Sequence, residues 1–223
     1  MEHILYEDTY ILVLHKPAQV PVQTKRFGEK DLVSMLKNYR VQKKEAPYIA
    51  VINRLDQPVE GLILFAKTKE AAADLSMQLN KNQIEKYYRA IVSLPQKKRL
   101  DVGNSCTLTD YLIKDGRTNM SKVVKAGEKD AKKAVLQYTV RKVNDGFAEL
   151  DIHLETGRHH QIRVQMANAD MPLAGDHKYG NKNDSIKNIA LCSHKLVFFH
   201  PKNGKKIFFE TGPKNPAFQL LYE

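Results

Sequence analysis

Apolar and polar positions follow two rhythms along this chain, one close to 3.6 residues and one close to 2, broken by short solid apolar runs. Ile11 to Leu14 is such a run. It reads as a buried strand, stopped by the turn-forming stretch Lys16-Pro17-Ala18. Leu32, Met35, Leu36 and Tyr39 recur at i, i+3, i+4 and i+7 and predict a short amphipathic helix. Ile49 to Ile52 and Gly61 to Ala66 read as two strands with a polar loop between them. Thr68 then suits the cap of a helix carrying Ala72, Leu75 and Leu79 on its apolar side. Ile84 to Val92 is strand-like.

From Val135 the period is plainly 2. A strand runs to Val143, Asn144-Asp145-Gly146 turns the chain, and Phe147 to Leu154 returns. On the return strand Ala148, Leu150, Ile152 and Leu154 share one face, and Glu149, Asp151 and His153 the other. His159 to Ala169 reads as a helix with Ile162, Met166 and Ala169 buried. Leu196 to Phe199 and Ile207 to Phe209 flank Lys202-Asn203-Gly204 as a second hairpin. Hairpin-paired strands with few helices predict an α+β fold around a mixed, mostly antiparallel central sheet with flanking helices. No repeat or long Pro/Gly/Ser-rich linker divides the chain, so one domain over residues 1–223 is expected.

Charge adds a partner to this picture. The formal net charge is +11, which favours a polyanion, because each phosphate neutralised by Lys or Arg releases condensed counterions. Residues 114–133 hold seven basic residues (Lys114, Arg117, Lys122, Lys125, Lys129, Lys132, Lys133) against three acids. They read as an exposed loop or edge element, either a solvated basic face or a phosphate contact. The first apolar run, Tyr10 to Leu14, is too short for a signal peptide or a membrane span, so a cytoplasmic location away from membranes is expected. Cys106 and Cys192 have no metal-like spacing and are expected as two buried, reduced thiols.

Two polar stretches interrupt apolar elements. Asn53-Arg54-Leu55-Asp56-Gln57-Pro58-Val59-Glu60-Gly61 lies between two strands; a carboxylate there can line a cleft, or simply cap a Pro-enforced turn. Thr156-Gly157-Arg158-His159-His160-Gln161-Ile162-Arg163 joins a strand to a helix, where donors converge on anions; a donor-rich surface helix is the plainer reading.

In order, these stretches resemble a known family. RLDQPVEGLILFAKT is similar to the Arg-Leu-Asp motif of the RluA family of RNA pseudouridine synthases. ILYEDTYILVLHKPAQVPV resembles its opening strand and Lys-Pro turn, and EKYYRAIV its Tyr-bearing strand. LETGRHHQIRVQMA resembles its Thr-Gly-Arg-x-His-Gln-Ile-Arg motif, AGDHKYG its Gly-Asp-x-x-Tyr-Gly loop, and LCSHKLVFFHP its closing hairpin. The resemblance implies the pseudouridine synthase fold with a cleft, in a form without the N-terminal S4 RNA-binding domain. It implies isomerisation of uridines in structured RNA, ribosomal or transfer RNA, with no metal or organic cofactor. Turning uridine into pseudouridine breaks N1–C1′ and joins C5 to C1′, a redox-neutral change that a carboxylate nucleophile can mediate.

By resemblance Asp56 is that nucleophile, Arg163 the cation that keeps it ionised, and Tyr88 the aromatic residue at the base. Arg54, Leu55, Gly61, Leu64, Arg158, His160, Gln161 and Ile162 are the implied substrate contacts, with the target nucleotide flipped out of its stack. Three positions depart from the family: Asn53 stands for His, Glu60 for Ser, and His159 for a small residue, Glu60 suggesting an altered approach for the RNA. A monomer without an obligate protein partner is expected. The rivals are an inactive RNA-binding protein of the same fold, and a metal-dependent nuclease using His159, His160, Asp176 and His177. The second is disfavoured because adjacent histidines on a helix point apart.

Overall fold

The computed structural model describes residues 3–24, 28–182 and 185–221. In chain order the elements are β1 (Ile4–Glu7), β2 (Ile11–Lys16), α1 (Leu32–Gln42), β3 (Ala50–Val51), β4 (Glu60–Ala66), α2 (Lys69–Asn80) and β5 (Glu85–Ser93). There follow β6 (Ser105–Asp115), β7 (Met120–Val124), β8 (Lys132–Asn144), β9 (Phe147–Leu154), α3 (Gln161–Asn168), β10 (Leu191–Phe199), β11 (Lys206–Glu210) and a 3-10 turn, Pro216–Leu221. The chain divides into two compact units. One comprises residues 1–85 and 192–213, the other 86–191 and 214–223. The α+β class, dominated by antiparallel pairing, is as the sequence predicts.

In the first unit β2 pairs antiparallel with β1 and β4, β10 with β11, and β4 runs parallel to β10. The solid apolar runs have a simple cause. Ile11, Val13, Leu62, Leu64 and Ala66 pack with Ala71 and Leu75 of α2, while Leu12, Leu14, Ile63 and Phe65 pack with Leu32 and Leu36 of α1. Both faces of β2 and β4 are therefore covered, and alternation is lost. Thr68 Oγ1 accepts from Ala71 N at 3.1 Å, the expected cap. The buried side of α2 runs through Ala71, Leu75 and Gln78, slightly rotated from the predicted one. In α1 Met35 is 40% exposed, its place taken by Val33 and Arg40.

The second unit is an antiparallel sheet in the order β5-β9-β8-β6-β7. Asp145 and Gly146 both have positive φ, 39° and 79°, the turn that Asn-Asp-Gly favours between β8 and β9. Ala148, Leu150 and Ile152 are fully buried, and Leu154 nearly so, as the alternation requires. The basic segment is a β6–β7 hairpin leading into β8, with β7 at the end of the sheet order. Helix α3 lies against β6 and β7 and places Val164 on Leu112 and Ala134.

Three further expectations change. Helix α3 starts at Gln161, two residues late, because His160 sits in the left-handed region at φ +52°. The two histidines consequently precede the helix, and their rings stack at 3.8 Å instead of pointing apart. Cys106 is exposed on β6, and only Cys192 is buried; both are free thiols.

Candidate functional site

In the first unit the Arg54-Leu55-Asp56 turn is held from below by a lysine. Lys16 closes β2 and is fully buried, yet its ammonium donates to three carbonyls: Pro17 (2.9 Å), Val20 (2.8 Å) and Gln57 (2.9 Å). Burial pushes its pKa down to about 7, against the pull of the Asp56 and Glu60 carboxylates. Three carbonyls need three donors, which only the charged amine has, so the geometry also favours ammonium. The turn closes through Val59 N donating to the Asp56 carbonyl at 3.1 Å. Asp56 is half-buried, Arg54 exposed and Leu55 buried.

Two of the three departures, Asn53 and Glu60, find structural reasons inside this unit. Asn53 donates through Nδ2 to the Leu62 carbonyl at 3.2 Å and accepts from Leu64 N at 2.7 Å. Its amide thus stands in for a neighbouring strand along β4. Glu60 is 2% exposed, with Oε2 3.3 Å from His15 Nε2, so its carboxylate has a partner inside the fold. Gly61 has φ +116°, and a Cβ there would overlap the Ser193 backbone, 2.5 Å from its nitrogen. The parallel approach of β10 therefore demands glycine. Leu64 belongs to the packed cluster against α2.

In the second unit α3 carries Arg163, 6% exposed. Its Nε donates to Asp176 Oδ2 at 2.8 Å and its Nη2 to Oδ1 at 2.7 Å, a bidentate fork. Asp176, 2% exposed, is held in turn by Lys178 N (3.0 Å) and Tyr179 N (3.3 Å). The Tyr179 ring lies 5.2 Å below the Arg163 guanidinium, and its hydroxyl accepts from Ser121 N at 2.7 Å. That leaves the phenol proton for His160 Nδ1, 2.7 Å away. His159 meets Ser121 Oγ (2.9 Å) and Asn119 Oδ1 (3.1 Å), and His177 Nε2 the Ile186 carbonyl (3.0 Å). Each of the four residues named for a nuclease thus has a protein partner.

Gln161, expected at the substrate, is 2% exposed and braces the turn before α3. Its Oε1 accepts from Thr156 Oγ1 (2.8 Å) and Arg158 N (2.9 Å), while Nε2 donates to Gln165 Oε1 (2.9 Å) and the Val135 carbonyl (3.1 Å). Ile162 is buried beside it and Arg158 is exposed, its Nε donating to the Lys133 carbonyl at 2.9 Å. Sequence reasoning missed Lys16 and Asp176 as the groups that fix Asp56's turn and Arg163. The Lys-Pro turn and the Gly-Asp-x-x-Tyr-Gly loop carried the signal.

The tyrosines of β5 separate as a strand requires. Tyr88 is 5% exposed opposite Ile152, whereas Tyr87 stacks on His153 at 4.7 Å on the other face. Tyr88→Phe is expected to bind RNA normally and lose most turnover. Tyr87→Phe keeps the stacked ring and should cost about 1 kcal/mol of stability or less. Single-turnover tritium release from C5-labelled RNA, run on both variants, checks this; a slow Tyr87→Phe would reverse the assignment. Arg163→Leu is expected to lose turnover strongly and Arg163→Lys to recover part of it. A lysine restores charge without the fork on Asp176. An Arg163→Leu rate equal to the parent's would remove Arg163 from the site.

These elements define a pseudouridine synthase fold. Two human proteins, RNA pseudouridylate synthase domain containing 1 and 4, superpose with TM-scores of 0.75 each, at 19% and 21% identity. Both cover 95% of this chain, and 83% and 89% of theirs. The profile of the RNA pseudouridylate synthase family matches residues 10–168, and the chain belongs to that family. Among curated relatives, ribosomal large subunit pseudouridine synthase D of Neisseria meningitidis is 31% identical over 98% of this chain and 60% of its own length. Synthase C of Buchnera aphidicola is 29% identical over 98% and 69%. The RNA pseudouridine synthase YhcT of Bacillus subtilis is 31% identical over 93% and 67%. The chain thus spans 60 to 69% of the length of these relatives. Among the described residues no helix is long and apolar enough to cross a membrane.

Proposed function

We propose that this chain isomerises uridine to pseudouridine in ribosomal RNA, with Asp56 as nucleophile, Arg163 as the cation favouring its ionised form, and Tyr88 at the base. The carrying observation is the family match over residues 10–168, which includes all three residues. In the reaction the N1–C1′ bond breaks, the base turns, C5 bonds to C1′, and the C5 proton leaves as N1 gains one. Atoms and charge balance without redox change. The phenol of Tyr88 suits removal of the C5 proton, and the exposed Arg54 suits the space or backbone of a flipped nucleotide. Arg158, His160 and Ile162 are the further contacts proposed for the RNA. Gln161 serves this role indirectly, through the turn that it braces. We take the 1–223 chain to act in the cytoplasm as a monomer without an obligate protein partner.

The ribosomal substrate rests on the names of two relatives, both ribosomal large subunit synthases. Mapping pseudouridine across ribosomal and transfer RNA, with and without the gene, tests it. Sites lost from large-subunit RNA support the reading; sites lost only from transfer RNA move the substrate.

A further inference from the structure

Lys86 is a buried cation that the proposed chemistry leaves unused. It alternates onto the same face of β5 as Tyr88 and is only 8% exposed. A Cβ built on Gly157 would stand 3.5 Å from its Nζ, so the backbone of the Thr156-Gly157-Arg158 turn lies over the ammonium. The charge that it feels is Arg158, a second cation, and among the described residues no carboxylate stands against it. Burial first, and Arg158 second, push its pKa below the ordinary lysine range. Arg158 is itself anchored, by Nε on the Lys133 carbonyl and by its backbone N–H on Gln161. A desolvated ammonium beside a fixed guanidinium is costly to keep, and an anion brought from outside repays that cost.

We propose that Lys86 and Arg158 form a subsite for one phosphodiester of the RNA strand, beside the uridine that Tyr88 meets. This rests on the isomerase reading and adds Lys86 to it. The lysine supplies a compact charge deep in the turn, and the arginine an exposed fork suited to two phosphate oxygens.

The test compares the parent with Lys86→Met, Lys86→Arg and Arg158→Met on a C5-tritiated transcript of large-subunit ribosomal RNA. Filter binding across a salt series, tritium release and thermal unfolding are all measured. Lys86→Met should weaken binding about tenfold and flatten the slope of log affinity against log salt by about one. Its loss should fall on KM more than on kcat, and Lys86→Arg should retain most of the affinity. Its melting temperature should hold or rise, because a buried charge without a counter-ion is gone. A structural lysine would behave in the opposite way. Parental affinity and slope in a folded Lys86→Met overturn the subsite, as does a lowered melting temperature with binding intact. A parent that binds RNA but releases no tritium overturns the isomerase reading instead, while the slope difference still reads the subsite.

Discussion

Asp56→Asn is expected to abolish isomerisation while leaving RNA affinity within a few-fold of the parent. Asparagine is nearly isosteric with aspartate but is no carboxylate nucleophile. The turn that carries residue 56 is closed by its own backbone carbonyl accepting from Val59 N, and is tied below by Lys16 on the Gln57 carbonyl. Neither of these two contacts is made by the Asp56 side chain. Single-turnover release and filter binding on one deamidation-free preparation separate chemistry from affinity. Measurable turnover by that preparation would sink the assignment of Asp56.

Lys16→Met should be the most damaging substitution for the fold near the site. Methionine fills the stem of the lysine but leaves the carbonyls of Pro17, Val20 and Gln57 without their donor. A carbonyl left unmade in a buried setting costs about 1–3 kcal/mol, and partial access to water softens it here, so a total of about 3 kcal/mol is expected. That is a large part of an ordinary domain's stability. The Asp56 turn is released at the same time, and turnover should drop by about two orders of magnitude or more. Urea unfolding with RNA-free protein gives the first number and tritium release the second. A midpoint and rate close to the parent's would show that Lys16 does not hold the turn.

What could be read in advance follows from range. Strands β2 and β4 are legible because burial on both faces leaves solid apolar runs, and β9 because its buried apolar residues, all on one face, alternate with polar ones. Asp145-Gly146 is legible because positive φ at two successive residues narrows the choice of side chain. The start of α3 is not, because His160 is held by Tyr179, 19 residues on, and helical periodicity says nothing of that bond. Asp176 is hidden for the same reason, 13 residues from the arginine it grips. Lys16 reads as a turn residue by composition; only the approach of the Gln57 carbonyl, 41 residues away, shows why a charge is buried there. Family resemblance supplied Asp56, Tyr88 and Arg163, but not the residues that position them. Glu60, unexpected by resemblance, is accounted for by His15.

This chain is expected to turn uridine into pseudouridine without a metal. The most direct measurement is single-turnover tritium release from C5-labelled large-subunit ribosomal RNA by the parent protein in excess chelator, with the digested RNA analysed for pseudouridine. Release should be matched mole for mole by pseudouridine, at a rate that chelator leaves unchanged on prefolded RNA. No release from ribosomal or transfer RNA, or strand cleavage restored by a divalent ion, would contradict it.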